Sequence, residues 1–138
     1  MVNVAPKPRN LPEPVHVVVA EDEFLVRLFL ADGLRAAGFR VFEAANAEQV
    51  ISILDSTHIE VVVTDLQMRS RKDGLVVAQY VREHHPDTPV LLTSVTAPPI
   101  NGFRFDAFFA KPYKPKDIAT WIKRYSAAHA TRSEDLLP

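Results

Sequence analysis

The 138-residue chain has no cysteine, almost no net charge and no apolar run long enough to cross a bilayer. Without cysteine, disulfide bridges and thiol catalysis are excluded, although that absence alone does not fix the compartment. The formal net charge of -1 gives no electrostatic reason to expect nucleic-acid or anionic-membrane binding. The first residues, Met1 to Pro8, lack the apolar core of a signal peptide, so a cytoplasmic location is the expectation. What is present is the 47% hydrophobic content of an ordinary globular protein. A single domain of this size buries roughly two thirds of its unfolded surface and needs no covalent staple.

Proline and glycine divide the chain. Pro6, Pro8, Pro12 and Pro14 cannot feed a strand ladder, and residues 1–14 are expected to form an extended leader. Val17 to Ala20 reads as a strand. Val26, Phe29, Leu30, Leu34 and Ala37 then recur at helical spacing with Gly38 as a stop. Arg40 to Ala44 is a second strand, followed by a helix capped by Asn46, with the stripe Ala47, Val50, Ile51 and Leu54 and with Gln49 placed for a return contact. Ile59 to Thr64 is a third strand. A polar loop leads to Gly74, and Val77, Tyr80, Val81 and His84 mark a third helix ended by Pro86. Val90 to Ser94 is a fourth strand and Ala107 to Ala110 a fifth, before a last helix with the stripe Ile118, Trp121, Ile122 and Tyr125. Pro98, Pro99 and Gly102 predict irregular backbone between the fourth and fifth strands, with Ile100, Phe103 and Phe105 shielding the sheet face that a helix would otherwise cover. The domain is expected over 15–125 and a polar tail over 126–138. Alternation of strand and helix predicts a doubly wound α/β fold with a parallel sheet and right-handed crossovers.

Chemistry-bearing residues stand at the downstream ends of these strands. Glu21-Asp22 follows Val17-Val18-Val19-Ala20, Asp65 follows Val61-Val62-Val63-Thr64, and Lys111-Pro112 follows Phe108-Phe109-Ala110. In parallel sheets the carboxyl ends of the strands line the ligand crevice, so these residues converge although distant in sequence. Three carboxylates and an ammonium there describe a divalent-cation and phosphate site.

In this joint order, with Ser94 at the end of the fourth strand, the residues resemble those of response-regulator receiver domains of two-component systems; the likeness covers about 15–125. The resemblance implies a five-stranded sheet in the flavodoxin-like order 2-1-3-4-5, here with a shortened or irregular fourth helix. It implies that Asp65 is the phosphoacceptor and that Mg²⁺ is the cofactor, with Asp22 and Asp65 as direct ligands, the backbone carbonyl of Gln67 beside them and Glu21 acting through water. Lys111 and Ser94 would bind the phosphoryl oxygens, and Ser94 and Phe108 would form the switch, with Phe where many relatives carry Tyr. Gln67, Val95 and Thr96 would govern access and the lifetime of the aspartyl-phosphate. The implied donor is a histidine kinase or histidine phosphotransfer protein. The chain would act as a phosphoacceptor with self-catalysed phosphorylation and dephosphorylation rather than as an enzyme on an external substrate. Its downstream partner would be a protein, with neither nucleic acid nor membrane engaged.

This sequence departs from that pattern in three places. The basic stretch Arg69-Ser70-Arg71-Lys72 replaces a shorter, Pro-containing turn; Val95 stands where small residues are common; and 95–106 is short for a helix. The tail beyond Tyr125 is too short for a helix-turn-helix output module, so a single-domain regulator working by protein contact or onward phosphotransfer is expected. Two rivals stay open: a pseudo-receiver that binds without being phosphorylated, and a haloacid-dehalogenase-like phosphatase, whose second Asp would fall at Gln67. Plainer structural readings also stand beside the functional ones. Asp22 could merely cap the first helix, Lys111 could be a turn residue, Phe108 could be core, and His84-His85 reads as a helix end rather than a metal site.

Overall fold

Val17, Val18 and Val19 have no exposed surface, and the direction in which each points sets out the layers of the molecule. The structure, a computed structural model, describes residues 13–69, 73–96 and 105–135. In it β1 (His16–Ala20), β2 (Arg40–Ala44), β3 (Val61–Asp65), β4 (Val90–Ser94) and β5 (Ala107–Ala110) alternate with α1 (Phe24–Ala36), α2 (Ala47–Ser56) and α3 (Asp73–His84), and α4 (Pro115–Asp135) closes the chain. Successive strand side chains face opposite sides. Val17 and Val19 therefore join Val61, Val63 and Leu91 against Leu30, Ala31 and Leu34 of α1 and Ile118 and Ile122 of α4. Val18 and Ala20 join Val62 and Val90 against Val50 and Leu54 of α2 and Val77, Ala78 and Val81 of α3. Two helices thus cover each face of one sheet.

All four pairings are parallel, in the order β2-β1-β3-β4-β5. The sequence-predicted fold class and strand order are therefore those observed. The direction of winding reverses between β1 and β3, and the loops leaving those two strands part there, opening a crevice at their carboxyl ends.

Local signals fix several of the boundaries. Asn46 Oδ1 accepts the Gln49 N–H at 2.9 Å, and Gln49 Oε1 returns to the N–H of Ala45 at 2.7 Å, a reciprocal pair that ties the entering chain to the first turn of α2. At the end of α1 the N–H of Gly38 donates to Arg35 and that of Phe39 to Leu34, a Schellman closure that places Gly38 at a φ of 100°. Asp106 pins the start of β5: its N–H donates to the Val90 carbonyl and its carboxylate accepts the Val90 N–H.

Some expectations need correction. Phe29 is 61% exposed, because α1 buries the row Leu30, Ala31 and Leu34, while Leu25 and Phe29, one turn apart, form a second row facing outward. On α3 the buried row is Val77, Ala78 and Val81, leaving Tyr80 half-buried and His84 exposed. β3 begins at Val61 rather than Ile59 and includes Asp65 as its last residue. β5 is an edge strand with one neighbour, so its residues are half-buried or exposed rather than buried like those of β3 and β4. The stretch expected as a polar tail continues α4 to Asp135, since nothing from Ser126 to Asp135 breaks a helix. Residues 1–12 of the leader expected over 1–14, the loop residues 70–72 and most of the irregular segment, 97–104, lie outside the described residues. Of its three shielding side chains only Phe105 is described, half-buried against the α2–α3 core.

Candidate functional site

The period of two that buries Val17 and Val19 continues past the end of β1 to Glu21, and the same parity on β3 and beyond β5 selects Asp65 and Lys111. The three side chains meet. Lys111 Nζ donates to Glu21 Oε1 at 2.6 Å and to Asp65 Oδ2 at 2.9 Å. Glu21 is 4% exposed and Asp65 6%, so neither carboxylate is fully solvated. The backbone assists: the N–H of Gln67 donates to Asp65 Oδ1 at 3.3 Å and that of Glu23 to Glu21 Oε2 at 3.2 Å.

Asp22 completes the group. One oxygen from each of Glu21, Asp22 and Asp65 lies within 4.8 Å of the others. Such a set of hard carboxylate oxygens suits Mg²⁺, which takes a few protein oxygens and keeps its remaining positions for water or phosphate. Asp22 is exposed, and the N-cap of α1 is Glu23, without a side-chain cap bond, so the merely capping reading of Asp22 does not hold. Partial burial, then the hydrogen bond and charge of Glu21, raise Asp22 above its ordinary value. Burial alone would lower the pKa of Lys111, but its bonds to Glu21 and Asp65, with their charges, outweigh it and the net shift is upward. The ammonium stays charged where it neutralises two acids.

Ser94 arrives from the other side of the sheet. The N–H of Lys111 donates to the Ser94 carbonyl at 2.9 Å, which holds the ends of β4 and β5 together. The Ser94 hydroxyl is buried, accepts the Thr96 N–H at 3.1 Å and lies 3.0 Å from Thr96 Oγ1, so those two predicted residues are in contact. Phe108, half-buried, is paired with Leu92 two residues before Ser94, and its side chain shares the face of Ser94. Gln67 and Val95 are exposed at the rim, Val95 by 75%.

Three contributors escaped the sequence reading as site residues. Gly74 brings α3 against the end of β3, and its N–H donates to the Leu66 carbonyl. A Cβ on Gly74 would lie 2.5 Å from the Asp65 carbonyl oxygen, so only glycine permits the approach. Tyr113, after Lys111-Pro112, has its phenol pushed up to about 12 by burial, with Lys111 opposing and the charges of Glu21 and Asp65 adding to the rise. Arg27 donates from Nη1 to the backbone carbonyl of Glu21 at 2.8 Å. A cation one turn into an otherwise apolar helix face was the available signal. Beside the site, Leu25, Val26, Phe29, Val95, Pro112 and Tyr113 line an open groove of about 460 Å³ that reaches Lys111.

Residues 17–123 match the family model described as the response regulator receiver domain. The chain belongs to that family. Among curated relatives, it is 31% identical over 111 residues to a probable transcriptional regulator, ycf27, of Porphyridium aerugineum, covering 78% of this chain and 46% of the relative. It is 29% identical over 107 residues to the aerobic respiration control protein ArcA of Escherichia coli K12, covering 75% and 44%. The chain therefore spans about half the length of these relatives. Among solved structures, a response regulator receiver protein from Sinorhizobium medicae aligns with a TM-score of 0.73 at 29% identity, covering 81% of this chain and 94% of that one. A signal receiver domain from Pseudomonas fluorescens aligns with a TM-score of 0.76 at 14% identity, covering 86% and 99%, which speaks for the fold. The chain is thus a receiver domain of two-component signalling, a family whose members act with histidine kinases or phosphotransfer proteins. Among the described residues no helix is long and apolar enough to cross a membrane.

Proposed function

We propose that Asp65 accepts a phosphoryl group from a phosphohistidine carried by a histidine kinase or histidine phosphotransfer protein. The observation that carries this reading is the Asp65 carboxylate, nearly buried, paired with Lys111 at 2.9 Å and set among two further acids at the switch point of the sheet. A carboxylate oxygen of Asp65 attacks phosphorus; the P–O bond forms as the P–N bond of the donor breaks, and the released imidazole nitrogen takes up a proton from solvent. Lys111 moves its pairing from the free carboxylates to a phosphoryl oxygen, and Ser94 offers its hydroxyl hydrogen to another. Glu21, Asp22, Asp65 and the Gln67 carbonyl would hold Mg²⁺, which when bound offsets the charge of the carboxylate and the incoming phosphoryl group. The family match and the chemistry of the donor set support that cofactor.

The donor is a protein in this reading. The groove formed by Leu25, Phe29, Val95 and Tyr113 offers apolar surface for docking next to Lys111. Withdrawal of Ser94 toward the phosphoryl group would free space for Phe108 on the same face, which is the packing half of an aromatic switch. Output then runs through protein contact or onward transfer, from the cytoplasm, with self-catalysed loss of the phosphoryl group ending the signal.

The test is direct. Protein incubated with Mg²⁺ and acetyl phosphate should gain the mass of one phosphoryl group, and Asp65→Asn should gain none. Label retained by Asp65→Asn would move the nucleophile elsewhere, and no label on the wild type with acetyl phosphate or a phosphohistidine donor would leave a binding module that keeps the fold.

A further inference from the structure

Glu21 and Asp22 sit on a loop, yet the peptide between β1 and α1 that carries them is held at both of its polar ends. The N–H of Glu21 donates to the Ala44 carbonyl at 3.0 Å, extending the β1–β2 ladder by one residue. Its carbonyl accepts from Arg27 Nη1 at 2.8 Å. Arg27 is itself fixed, since its Nε donates to Glu43 Oε1 at 3.3 Å and its side chain is only 15% exposed. Glu43 is anchored in turn by Arg35, whose Nη2 donates to Glu43 Oε2 at 3.0 Å and to the Val41 carbonyl at 3.2 Å. The guanidinium fork is what allows one side chain on α1 to hold a carbonyl of the acidic loop and a carboxylate of β2 together. A side chain outside the acidic set thus holds the backbone that presents two of its members.

We infer that Arg27 is a positioning residue for the metal site: by clamping the Glu21 carbonyl against β2 through Glu43, it fixes the direction in which the Glu21 and Asp22 carboxylates leave the loop. This rests on the reading that Glu21, Asp22 and Asp65 hold Mg²⁺. The carboxylates of a hard-cation site must converge within tenths of an ångström, and Mg²⁺ tolerates little departure from octahedral geometry. Loss of a group that orients a metal ligand typically lowers affinity by about 10–100-fold. Arg27→Gln, which keeps a short donor but neither the reach nor the fork, should fall in that range. Glu43→Gln should shift affinity in the same direction and by less, because the Glu21 carbonyl still has its donor. Arg27→Lys reaches one partner at a time and should lie between Arg27→Gln and the wild type.

The experiment is titration calorimetry with Mg²⁺ on the full chain, paired with urea unfolding of each variant and with Ile122→Val as a control that loosens the core away from the site. The expected result is weakened Mg²⁺ binding in the Arg27 and Glu43 variants and unchanged binding in Ile122→Val at comparable stability. Acetyl phosphate labelling should need more Mg²⁺ in Arg27→Gln yet approach the wild-type rate at saturation. Arg27→Gln and Arg27→Lys binding Mg²⁺ within twofold of the wild type would overturn the inference, as would equal weakening in Ile122→Val; should Arg27→Gln not fold, Arg27→Lys decides. A wild-type chain that itself fails to bind Mg²⁺ would remove the underlying reading and this inference with it.

Discussion

Lys111 is bonded more closely to Glu21, at 2.6 Å, than to Asp65, at 2.9 Å. The longer arm of Glu, compared with Asp, carries its carboxylate to the ammonium, so Lys111 neutralises both acids at once. A divalent cation drawn to the same oxygens competes with it. In Lys111→Met we expect Mg²⁺ to bind severalfold more tightly by calorimetry, while acetyl phosphate labelling falls by about a hundredfold for want of a cation on the phosphoryl oxygen. Weaker Mg²⁺ binding in this variant would mean that the ammonium assembles the carboxylates rather than competing for them.

Asp22→Ala separates a ligand from a helix cap. A cap loss costs about 1 kcal/mol of stability and leaves metal binding alone. Asp22 makes no cap bond, and its carboxylate is crowded by Glu21, so its removal should leave urea stability unchanged or slightly higher. Mg²⁺ affinity should drop by at least about tenfold. The opposite pattern, lost stability with intact binding, would return Asp22 to a structural role.

Among the described residues two glycines make close approaches, but only one of them touches the site. A Cβ at Gly74 would meet backbone atoms of Asp65 and Leu66, the nearest at 2.5 Å, whereas one at Gly33 would meet the Pro115 side chain, also at 2.5 Å. Both Ala substitutions force packed elements apart and should cost about 1–3 kcal/mol. Only Gly74→Ala should also slow phosphorylation of the folded protein, because only there does the displaced backbone carry the nucleophile. Equal labelling rates for the two variants would show that the Asp65 backbone absorbs the shift.

Much of this was legible in the residues because strand runs and strand-end charges are local signals. Asn46 and Gln49 announced the head of α2, and Val17 to Ala20 led directly to Glu21. Phe29 misled because apolar spacing alone does not say which of two adjacent rows a helix buries; that depends on what packs against it. Arg27 was passed over for a related reason. Its partners are a backbone carbonyl and Glu43 on a neighbouring strand, and such contacts exist only after the β1–β2 ladder has formed. Gly74 was noticed as punctuation, but its closeness to Asp65 is a tertiary fact. Ser94 and Phe108 were paired only through the family resemblance; that they share a face follows from the β4–β5 register, which exists only once the sheet has formed.

Tyr113 allows a test of how dry the rim of the site is. Burial pushes its phenol up to about 12 from the ordinary 10.0, and the carboxylates of Glu21 and Asp65 add to the rise against the pull of Lys111. Because the folded-state value lies above the unfolded one, the protonated phenol contributes stability that is fully present below the ordinary value and is lost as pH rises through the folded value. Tyr113→Phe keeps the ring in its packing and removes the titration. Near neutral pH the two proteins should therefore differ by no more than about 0.5 kcal/mol in urea unfolding. As pH climbs from the ordinary tyrosine value toward that of the buried phenol, the wild type should lose stability relative to Tyr113→Phe. The remaining tyrosines, Tyr80 and Tyr125, titrate in both proteins and cancel, so the difference in phenolate absorbance isolates Tyr113 and should have its midpoint well above the ordinary value. A difference midpoint at the ordinary value, with parallel stability curves, would mean that water reaches the phenol and that burial does not hold it protonated.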